Sequence, residues 1–354
     1  EVLALFNNKI TGPIPKEIKN LSSINIMKLY SNYLSSSIPT ELGLLANLTR
    51  LDLDVNKLSG TIPSELGNCS KLEFLWLNEN NLHGTIPEEL YRLTSLQKLY
   101  LNKIQVSGTI SKSIGNMMNL SFLSLTENQL NGTIPTTIGR LIKLRGLQLN
   151  KNDLTGSLPS EMRHLADLQL LYLSDNKFRT EIPTEWSEMM NLTAMWMSNA
   201  NISGTLPSTL SNLTKLQYLY LNGNSINGTL PADIGRMTNL ASLYLYDNEM
   251  TGQLPSALGN LSSLRELVLN GNHFYGTIPK SFQKLTNLVT LFLFHNNFTD
   301  TGYVPKSICD QKAYGLRNIW VDCLGRSNCS CCTACCTPSE TTGTFDGCYY
   351  IKST

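Results

Sequence analysis

The sequence has few charges and no long apolar run, and each shortage excludes a class of function. Lysine, arginine, aspartate and glutamate together make up 16% of the 354 residues, and the net charge is +1. A surface so nearly neutral gives no electrostatic footprint for nucleic acid or an anionic membrane. No apolar run approaches the ~18 residues of a membrane-spanning helix. The opening EVLALFNNKITGPIP lacks the basic and apolar regions of a secretory signal.

Histidine is also scarce, and its placement argues against catalysis. The four histidines are His83, His164, His273 and His295. None lies near a nucleophile in the sequence or at metal-ligand spacing. No glycine-rich phosphate loop follows a strand, because the glycines belong to a recurring turn. We therefore expect no enzymatic activity, no cofactor and no metal.

Cysteine is almost absent from the first 308 residues and crowded after them. Cys69 stands alone, and the other eight lie between residues 309 and 348. A dense, even-numbered cluster in a short segment indicates a disulfide framework made in an oxidising compartment. Without a nearby histidine, bridges are favoured over a zinc cluster. Disulfides are predicted for Cys309, Cys323, Cys329, Cys331, Cys332, Cys335, Cys336 and Cys348, in any of the 105 pairings that eight cysteines allow. We expect Cys69 to be a small buried residue.

Sequons of the form N-x-S/T agree with secretion or display at the cell surface. Because NLS and NLT are consensus words of the repeat, some sequons arise automatically. We predict N-linked glycans on several of these sites: Asn20, Asn47, Asn68, Asn119, Asn131, Asn191, Asn201, Asn212, Asn227, Asn260, Asn297 and Asn328.

The chain repeats itself every 24 residues without insertion, which determines the fold. The pattern LxLxxN recurs at thirteen positions from Asn8 to Asn296, and eleven of the thirteen hold Asn. Four residues later comes Gly or a small residue, and then x-Ile/Leu-Pro, as in GTIP at 60–63. Alternate residues of Leu-x-Leu point to opposite faces of a strand, so the leucines form a core that stacked coils share. The asparagine is expected to satisfy backbone groups of its own and adjacent coils.

This pattern resembles the plant-type extracellular leucine-rich repeat, LxxLxLxxNxLxGxIPxxLGxL, of receptor-like and polygalacturonase-inhibitor proteins. The resemblance implies a right-handed α/β-type solenoid with a concave parallel β-sheet, short second strands and 3₁₀ turns on the convex side. We predict about 13 repeats over residues 1–305 and a cysteine-rich C-terminal cap over 306–354. The cap resembles those of leucine-rich repeat proteins from diatoms and related algae. Because the first residues already lie within a repeat, we expect the natural chain to start further upstream.

Two repeats lack the asparagine, with Ile104 and Ala200 in its place. The repeat with Ile104 also has Ser111 where others have proline. Because stability in a solenoid is a sum over neighbouring interfaces, we expect both gaps to be tolerated. The alternative is a local change of curvature that shapes a binding region.

Aromatic residues cluster at the positions that face outward from the concave strands. Aromatic anchors beside small hydrogen-bonding groups are typical of interfaces. The alternative is that these rings simply suit strands and pack on one another. The predicted ligand-binding residues are Trp76, Tyr100, Tyr172, Trp196, Tyr220, Tyr244, Tyr246 and Asn222. The family's paired arginines for a peptide carboxylate are not evident, because Arg145 and Arg265 are isolated.

These observations favour a non-catalytic extracellular recognition module, a receptor-like ectodomain that binds a protein, peptide or glycan (polysaccharide) through the concave face. One alternative is a structural glycoprotein of an extracellular coat or filament that self-assembles, and a minor one is an inhibitor of a foreign hydrolase.

Overall fold

The computed structural model describes residues 1–299, 304, 306–310, 315–322, 332–337 and 347–350. The chain divides into two compact units, Glu1–Phe178 and Arg179–Thr354. This division falls inside the repeat array, so the array-to-cap boundary at residue 305 stays a prediction. Among the described residues, no helix has the length and apolarity needed to cross a membrane.

The first twelve repeats each contain an inner strand at Leu-x-Leu, a second strand near the glycine position and a 3₁₀ turn, which follows proline in all but one of them. The inner strands alternate in burial: Leu75 and Leu77 are fully buried, whereas Trp76 between them is partly exposed. We call the sheet that they form within each unit the inner sheet. Within residues 1–299, prolines precede eleven of the twelve 3₁₀ turns, with φ between −60° and −71°, close to the value that the proline ring imposes.

In the first unit, eight parallel inner strands pair in chain order and eight second strands form another sheet. The inner strands are Val2–Ala4, Ile26–Lys28, Arg50–Asp52, Phe74–Trp76, Lys98–Tyr100, Phe122–Ser124, Gly146–Gln148 and Leu170–Tyr172. The second strands are Thr11–Gly12, Tyr33–Ser37, Lys57–Thr61, Asn81–Thr85, Gln105–Thr109, Gln129–Gly132, Asp153–Gly156 and Lys177–Phe178. The 3₁₀ turns are Lys16–Asn20, Thr40–Leu44, Ser64–Asn68, Glu88–Arg92, Lys112–Asn116, Thr136–Arg140 and Ser160–His164.

The second unit continues the same plan and ends in the cap. Its inner strands are Ala194–Trp196, Tyr218–Tyr220, Ser242–Tyr244, Glu266–Val268 and Thr290–Phe292, followed by Asn318–Asp322, Ala334–Thr337 and Gly347–Tyr350 of the cap. The second strands are Ser203–Thr205, Ser225–Thr229, Glu249–Gln253, His273–Gly276 and Asn297–Phe298. The 3₁₀ turns are Thr184–Glu188, Ser208–Asn212, Ala232–Arg236, Ser256–Asn260 and Lys280–Lys284, and one short α-helix spans Lys306–Cys309. The leucine-rich repeat solenoid predicted from the period is confirmed.

The ladder of asparagines connects consecutive repeats through the backbone. Asn152 donates from Nδ2 to Leu125 O of the preceding repeat (2.9 Å) and to Leu149 O of its own (3.0 Å), and its Oδ1 accepts from Leu130 N (3.0 Å). The side chain is 7% exposed, so these bonds satisfy groups that water does not reach. The predicted role of the asparagine is confirmed.

At the two positions without asparagine, the replacing residue is buried and follows a hydrogen-bonded turn. Ile104 and Ala200 are buried, and each follows a hydrogen-bonded turn where most other repeats only bend. At the second gap, Oδ1 of Asn224 in the next repeat accepts from both Ala200 N (3.0 Å) and Ile202 N (2.9 Å). Asn224 therefore makes its usual bond to Ile202 and also accepts from the amide of Ala200, the residue that replaces the missing asparagine.

The cap extends the inner sheet rather than only covering it. Asn318–Asp322 pairs in parallel with Thr290–Phe292, and Gly347–Tyr350 pairs antiparallel with Ala334–Thr337. Ile308, Leu316 and Ile319 are buried, and the partly exposed Trp320 packs on Phe292 at 4.9 Å between ring centroids.

A carboxylate in the cap closes the backbone of the last repeat. Asp322 accepts from His295 N (2.6 Å) and Asn296 N (3.0 Å). Two repeats earlier, the equivalent amides of Asp247 and Asn248 donate to carbonyl oxygens of the following repeat. Burial raises the pKa of Asp322, and the two amide hydrogen bonds oppose that rise. Asp322 thus supplies the backbone of the last repeat with the acceptors that an earlier repeat takes from the following one.

The cysteine predictions have different outcomes. Cys69 is a buried free thiol whose Sγ donates to Leu42 O at 3.4 Å, and burial raises its pKa to about 11. Cys309 and Cys332 are disulfide-bonded. Cys323, Cys329 and Cys331 lie outside the described residues. Disulfides at these three positions and at Cys335, Cys336 and Cys348 stay predictions.

Candidate functional site

The predicted ligand-binding aromatics lie where the period places them, on the outward positions of the inner strands or just beyond. Within the first unit, Trp76, Tyr100 and Tyr172 are partly exposed. Within the second unit, Trp196, Tyr220, Tyr244 and Tyr246 are partly exposed. Asn222 is buried, and its Oδ1 accepts from Ser198 Oγ at 2.7 Å. Asn222 therefore supports its neighbours and exposes little of its own amide.

The rings of the second unit form a stack, which we call the aromatic strip: Trp196, Tyr218, Tyr220, Tyr244 and Tyr246. Trp196 and Tyr220 are parallel within 13° at 5.4 Å between centroids, and Tyr220 and Tyr244 lie within 24° at 4.6 Å. These distances match the spacing of neighbouring strands, so the sheet itself sets the stack. Tyr218 meets Tyr220 edge to face, and Tyr246 flanks Tyr244.

Stacking determines which part of each ring remains for a ligand. The faces of Tyr220 are turned towards the rings of Trp196 and Tyr244, so the surface presented is made of ring edges and hydroxyl groups. Sugar rings bind aromatic residues through the ring face, and at Tyr220 the neighbouring rings occupy both faces. The rings therefore pack on one another and still form a possible contact surface, because the edges of the strip face outward. The two interpretations of the aromatic residues are compatible.

Glu266 lies at the end of the aromatic strip. Its Oε2 accepts from Ser242 Oγ (2.8 Å) and from Tyr244 OH (2.9 Å). Burial raises the pKa of Tyr244, and the hydrogen bond to Glu266 raises it further. Tyr244 is therefore protonated at neutral pH and acts as the donor.

The first unit carries a different arrangement, which we call the Arg50–Trp76 cluster: Arg50, Asp52, Phe74 and Trp76. Arg50 Nε donates to both carboxylate oxygens of Asp52, at 3.1 and 2.8 Å. The guanidinium carbon lies 4.5 Å from the centre of the Trp76 ring and 5.5 Å from that of Phe74. Arg50 therefore balances the charge of Asp52 and at the same time makes cation–π contacts with both rings. Trp76 in turn meets Tyr100 edge to face at 5.6 Å. Asp52 occupies the same outward position of its strand as Trp76 on the next, yet it is fully buried beneath this cluster.

Asp54 follows in the same repeat and lacks such a partner. Its Oδ1 is buried and accepts no hydrogen bond. Burial raises the pKa of Asp54 to about 6, and the charges of Asp52 and Glu79 add to the rise. Its own amide and the more distant Arg50 oppose it. The carboxyl group is therefore held close to its titration point at mildly acidic pH.

Several of these residues were missed by sequence reasoning. Arg50, Phe74, Ser242 and Glu266 occupy the first position of their inner strands, two residues before the column that the sequence predicts as the contact surface. Counting in steps of 24 residues from Arg50 identifies this column, in which Phe74, Lys98 and Phe122 follow on neighbouring strands. The column has contacts of its own, because Lys98 Nζ lies 5.3 Å from the centre of the Phe122 ring.

The described sequons lie away from the inner strands. Four described sequons are the last residues of 3₁₀ turns: Asn20, Asn68, Asn212 and Asn260. Three lie three residues beyond a 3₁₀ turn: Asn47, Asn119 and Asn191. Four lie in or just before second strands: Asn131, Asn201, Asn227 and Asn297. Asn328 lies outside the described residues. Glycans on the described sites, which stay a prediction, would leave the inner strands uncovered at their attachment points.

Within the described part of the chain, no group of three or more His, Cys, Asp or Glu is placed to hold a metal ion. The arrangement offers aromatic edges, hydroxyls and fixed carboxylates, which are groups for non-covalent binding.

Comparisons with known proteins agree with this geometry. A leucine-rich repeat region model matches residues 189–303, and leucine-rich repeat models match residues 118–178, 47–69 and 71–93. The chain belongs to the leucine-rich repeat family. A search of the curated proteins finds no match.

Among solved structures, the chain is 34% identical to the PEPR1–AtPEP1 crystal structure, with 91% of this chain and 48% of that chain covered and a TM-score of 0.80. It is 28% identical to the plant peptide hormone receptor RGFR1 in complex with RGF2, covering 91% and 59%, with a TM-score of 0.73. It is 30% identical to a leucine-rich repeat protein of Leptospira interrogans, covering 91% and 78%, with a TM-score of 0.72. The chain thus spans about half of the first two of these chains.

Proposed function

We propose that the chain is a non-catalytic extracellular recognition module whose inner sheet binds a peptide or an extended segment of a protein. The aromatic strip is the observation that carries this proposal. Partly exposed ring edges and tyrosine hydroxyls provide both apolar anchoring and hydrogen bonding.

The comparisons support a peptide ligand, because RGFR1 is described as a plant peptide hormone receptor. The position of the described sequons supports an extracellular setting with an accessible inner sheet. A glycan ligand is less favoured, because the stacked rings cover one another's faces. Inhibition of a foreign hydrolase would be one form of protein binding and would use the same surface.

The test begins with a random peptide library displayed on phage and selected on the purified, secreted chain. Affinities of the selected peptides are then measured for the wild type, for Trp196→Ala with Tyr220→Ala, and for Tyr275→Ala. Tyr275 is a matched control, because it is 47% exposed on the second sheet rather than the inner one. Hot-spot aromatic side chains typically contribute ≥2 kcal/mol, so the double variant should bind at least ~30-fold more weakly.

Unchanged affinity in a double variant that keeps the wild-type thermal midpoint would contradict the proposal. Selective binding on a glycan array, without strip-dependent peptides, would favour the glycan alternative. Concentration-dependent association in sedimentation velocity, also without such peptides, would favour the self-assembling structural glycoprotein.

A further inference from the structure

The Glu266 carboxylate is prepared for a partner that the described chain does not supply. Ser242 and Tyr244 both bond Oε2, and no hydrogen bond to Oε1 is found among the described residues. All six ion pairs found in the described part involve residues 16–177, so none neutralises Glu266. The adjacent Arg265, which is also described, forms no ion pair with it within 4.0 Å.

The position of Glu266 follows from a break in the aromatic column. Val268 takes the place opposite Tyr244 on the next strand, and it is buried. The ring stack therefore ends at Tyr244, and Glu266, opposite Ser242 in the register, reaches the Tyr244 hydroxyl. The carboxylate lies where Val268 interrupts the column of rings, before aromatic side chains resume at Phe292 on the following strand.

Two fixed donors on one oxygen restrict the rotamers of Glu266 before any ligand arrives. Such pre-organisation reduces the entropy lost on binding. The contrast with the Arg50–Trp76 cluster is direct: there, Asp52 is already neutralised by Arg50 and fully buried. Glu266 is partly exposed, lies beside Tyr244 and forms no ion pair with a described cation.

We propose that Glu266 receives the cation of an arginine or lysine in the ligand, so that peptides bound by the aromatic strip carry a basic residue at a fixed position. This inference rests on the proposed function. The aliphatic stem of the basic residue lies along the edges of Tyr244 and Tyr246, while its charged head meets the carboxylate. Arginine suits the site better than lysine, because its planar guanidinium can bond a carboxylate and also pack against aromatic rings.

The test uses the peptides selected on the wild-type chain and one chemical change in them. We expect these peptides to share an arginine or lysine at one position. Replacing that arginine by citrulline, which keeps the shape and removes the charge, should weaken binding to the wild type at least ~10-fold.

The matched protein variants are Glu266→Gln and Glu249→Gln. The glutamine side chain of the first variant keeps an oxygen that can accept from Ser242 and Tyr244, and Glu249 is an exposed acid on the second sheet. With Glu266→Gln the citrulline effect should fall to less than ~3-fold, whereas with Glu249→Gln it should be unchanged.

Selected peptides without a shared basic residue, or an equal citrulline effect in Glu266→Gln and the wild type, would overturn the inference. If those same peptides lose affinity with Trp196→Ala plus Tyr220→Ala, the proposed function still stands. If the double variant binds them normally, the proposed function fails as well.

Discussion

At the residue scale, an outward position on a strand does not by itself decide whether a side chain is available. Asp52 and Trp76 occupy equivalent positions of consecutive inner strands. The acid is fully buried because Arg50 crosses it and rests on Trp76, whereas the indole stays partly exposed. The sizes of the neighbouring side chains, rather than the repeat register, determine this outcome.

Asp54 gives a pH dependence with a defined sign. Its pKa in the folded chain, about 6, lies above the ordinary value of 3.8, so the folded state binds the proton more tightly. The stability that this group contributes is therefore present at low pH and is lost as the pH rises from about 4 to about 6. Asp54→Asn should stabilise the chain at pH 7 by about 1–2 kcal/mol, after allowance for solvent screening of a partly exposed group.

The measurement is the thermal midpoint between pH 4 and pH 8 for the wild type, Asp54→Asn and the exposed control Asp167→Asn. The wild type and the control should lose more stability between pH 4 and pH 6 than Asp54→Asn does. Identical pH profiles for all three proteins would show that Asp54 titrates as an ordinary surface acid.

At the element scale, one irregular junction lies between the 3₁₀ turns Glu88–Arg92 and Lys112–Asn116. In six other repeats a glycine lets consecutive turns approach: a Cβ added to Gly43 or Gly67 would lie 2.3–2.4 Å from a carbonyl oxygen of the next repeat. Tyr91 occupies that column and is buried, so the following turn cannot approach as closely. Ile104 and Ser111 are the ladder gap and the proline gap at this same junction.

Ser111 keeps the geometry of the prolines and adds two hydrogen-bonding groups. Its φ of −64° matches theirs, and its side chain caps the turn by accepting from Ser113 N at 3.1 Å. The buried Tyr91 hydroxyl makes no hydrogen bond of normal geometry. Burial raises the pKa of Tyr91 to about 12, and the Ser111 backbone amide opposes that rise. Proline would remove both the cap and the amide N–H.

Ser111→Pro should therefore destabilise the chain by about 1–2 kcal/mol, although the backbone angle suits proline. In a Tyr91→Phe background the loss should be smaller, because no buried hydroxyl remains near the missing amide. Urea unfolding, with hydrogen exchange of the Lys112–Asn116 turn, measures both effects. Pro135→Ser in the next repeat serves as the control, and equal losses from Ser111→Pro in both backgrounds would exclude any coupling to Tyr91.

The repeating elements could be predicted from the sequence, and the irregular ones could not. Leucines, asparagines and prolines act within one repeat or on the adjacent one, so a fixed period carries their structure. The effects of Tyr91 and Arg50 depend on which side chains the adjacent repeats bring to the same place. The strands of the cap were also unforeseen, because Asn318–Asp322 forms by pairing with the last repeat rather than by any periodic pattern.

At the scale of the whole molecule, the sequence determined the fold and the placement of the candidate site more completely than its chemistry. The aromatic column was found from spacing alone. Its stacking, and therefore the preference for ligands that contact ring edges, required the angles between rings. Glu266 was missed because a carboxylate at the first position of a strand resembles an ordinary solvated charge until its hydroxyl partners are located.

The distribution of sequons gives a prediction for the chain after secretion from eukaryotic cells. None of the described sequons lies in an inner strand, so enzymatic removal of N-glycans should change the affinity for strip-dependent peptides by less than about 2-fold. The measurement compares dissociation constants before and after deglycosylation of the chain secreted from eukaryotic cells. A loss of 10-fold or more would place carbohydrate in the binding surface.

Asp322 bears on how such arrays change length in evolution or by engineering. An ordinary coil takes its closing acceptors from a successor, which makes it dependent on the next coil in the array. A carboxylate that supplies the same acceptors from a non-repeating segment ends that dependence. Whole repeats could then be added or deleted upstream, provided that the C-terminal segment keeps an acidic residue at the position of Asp322.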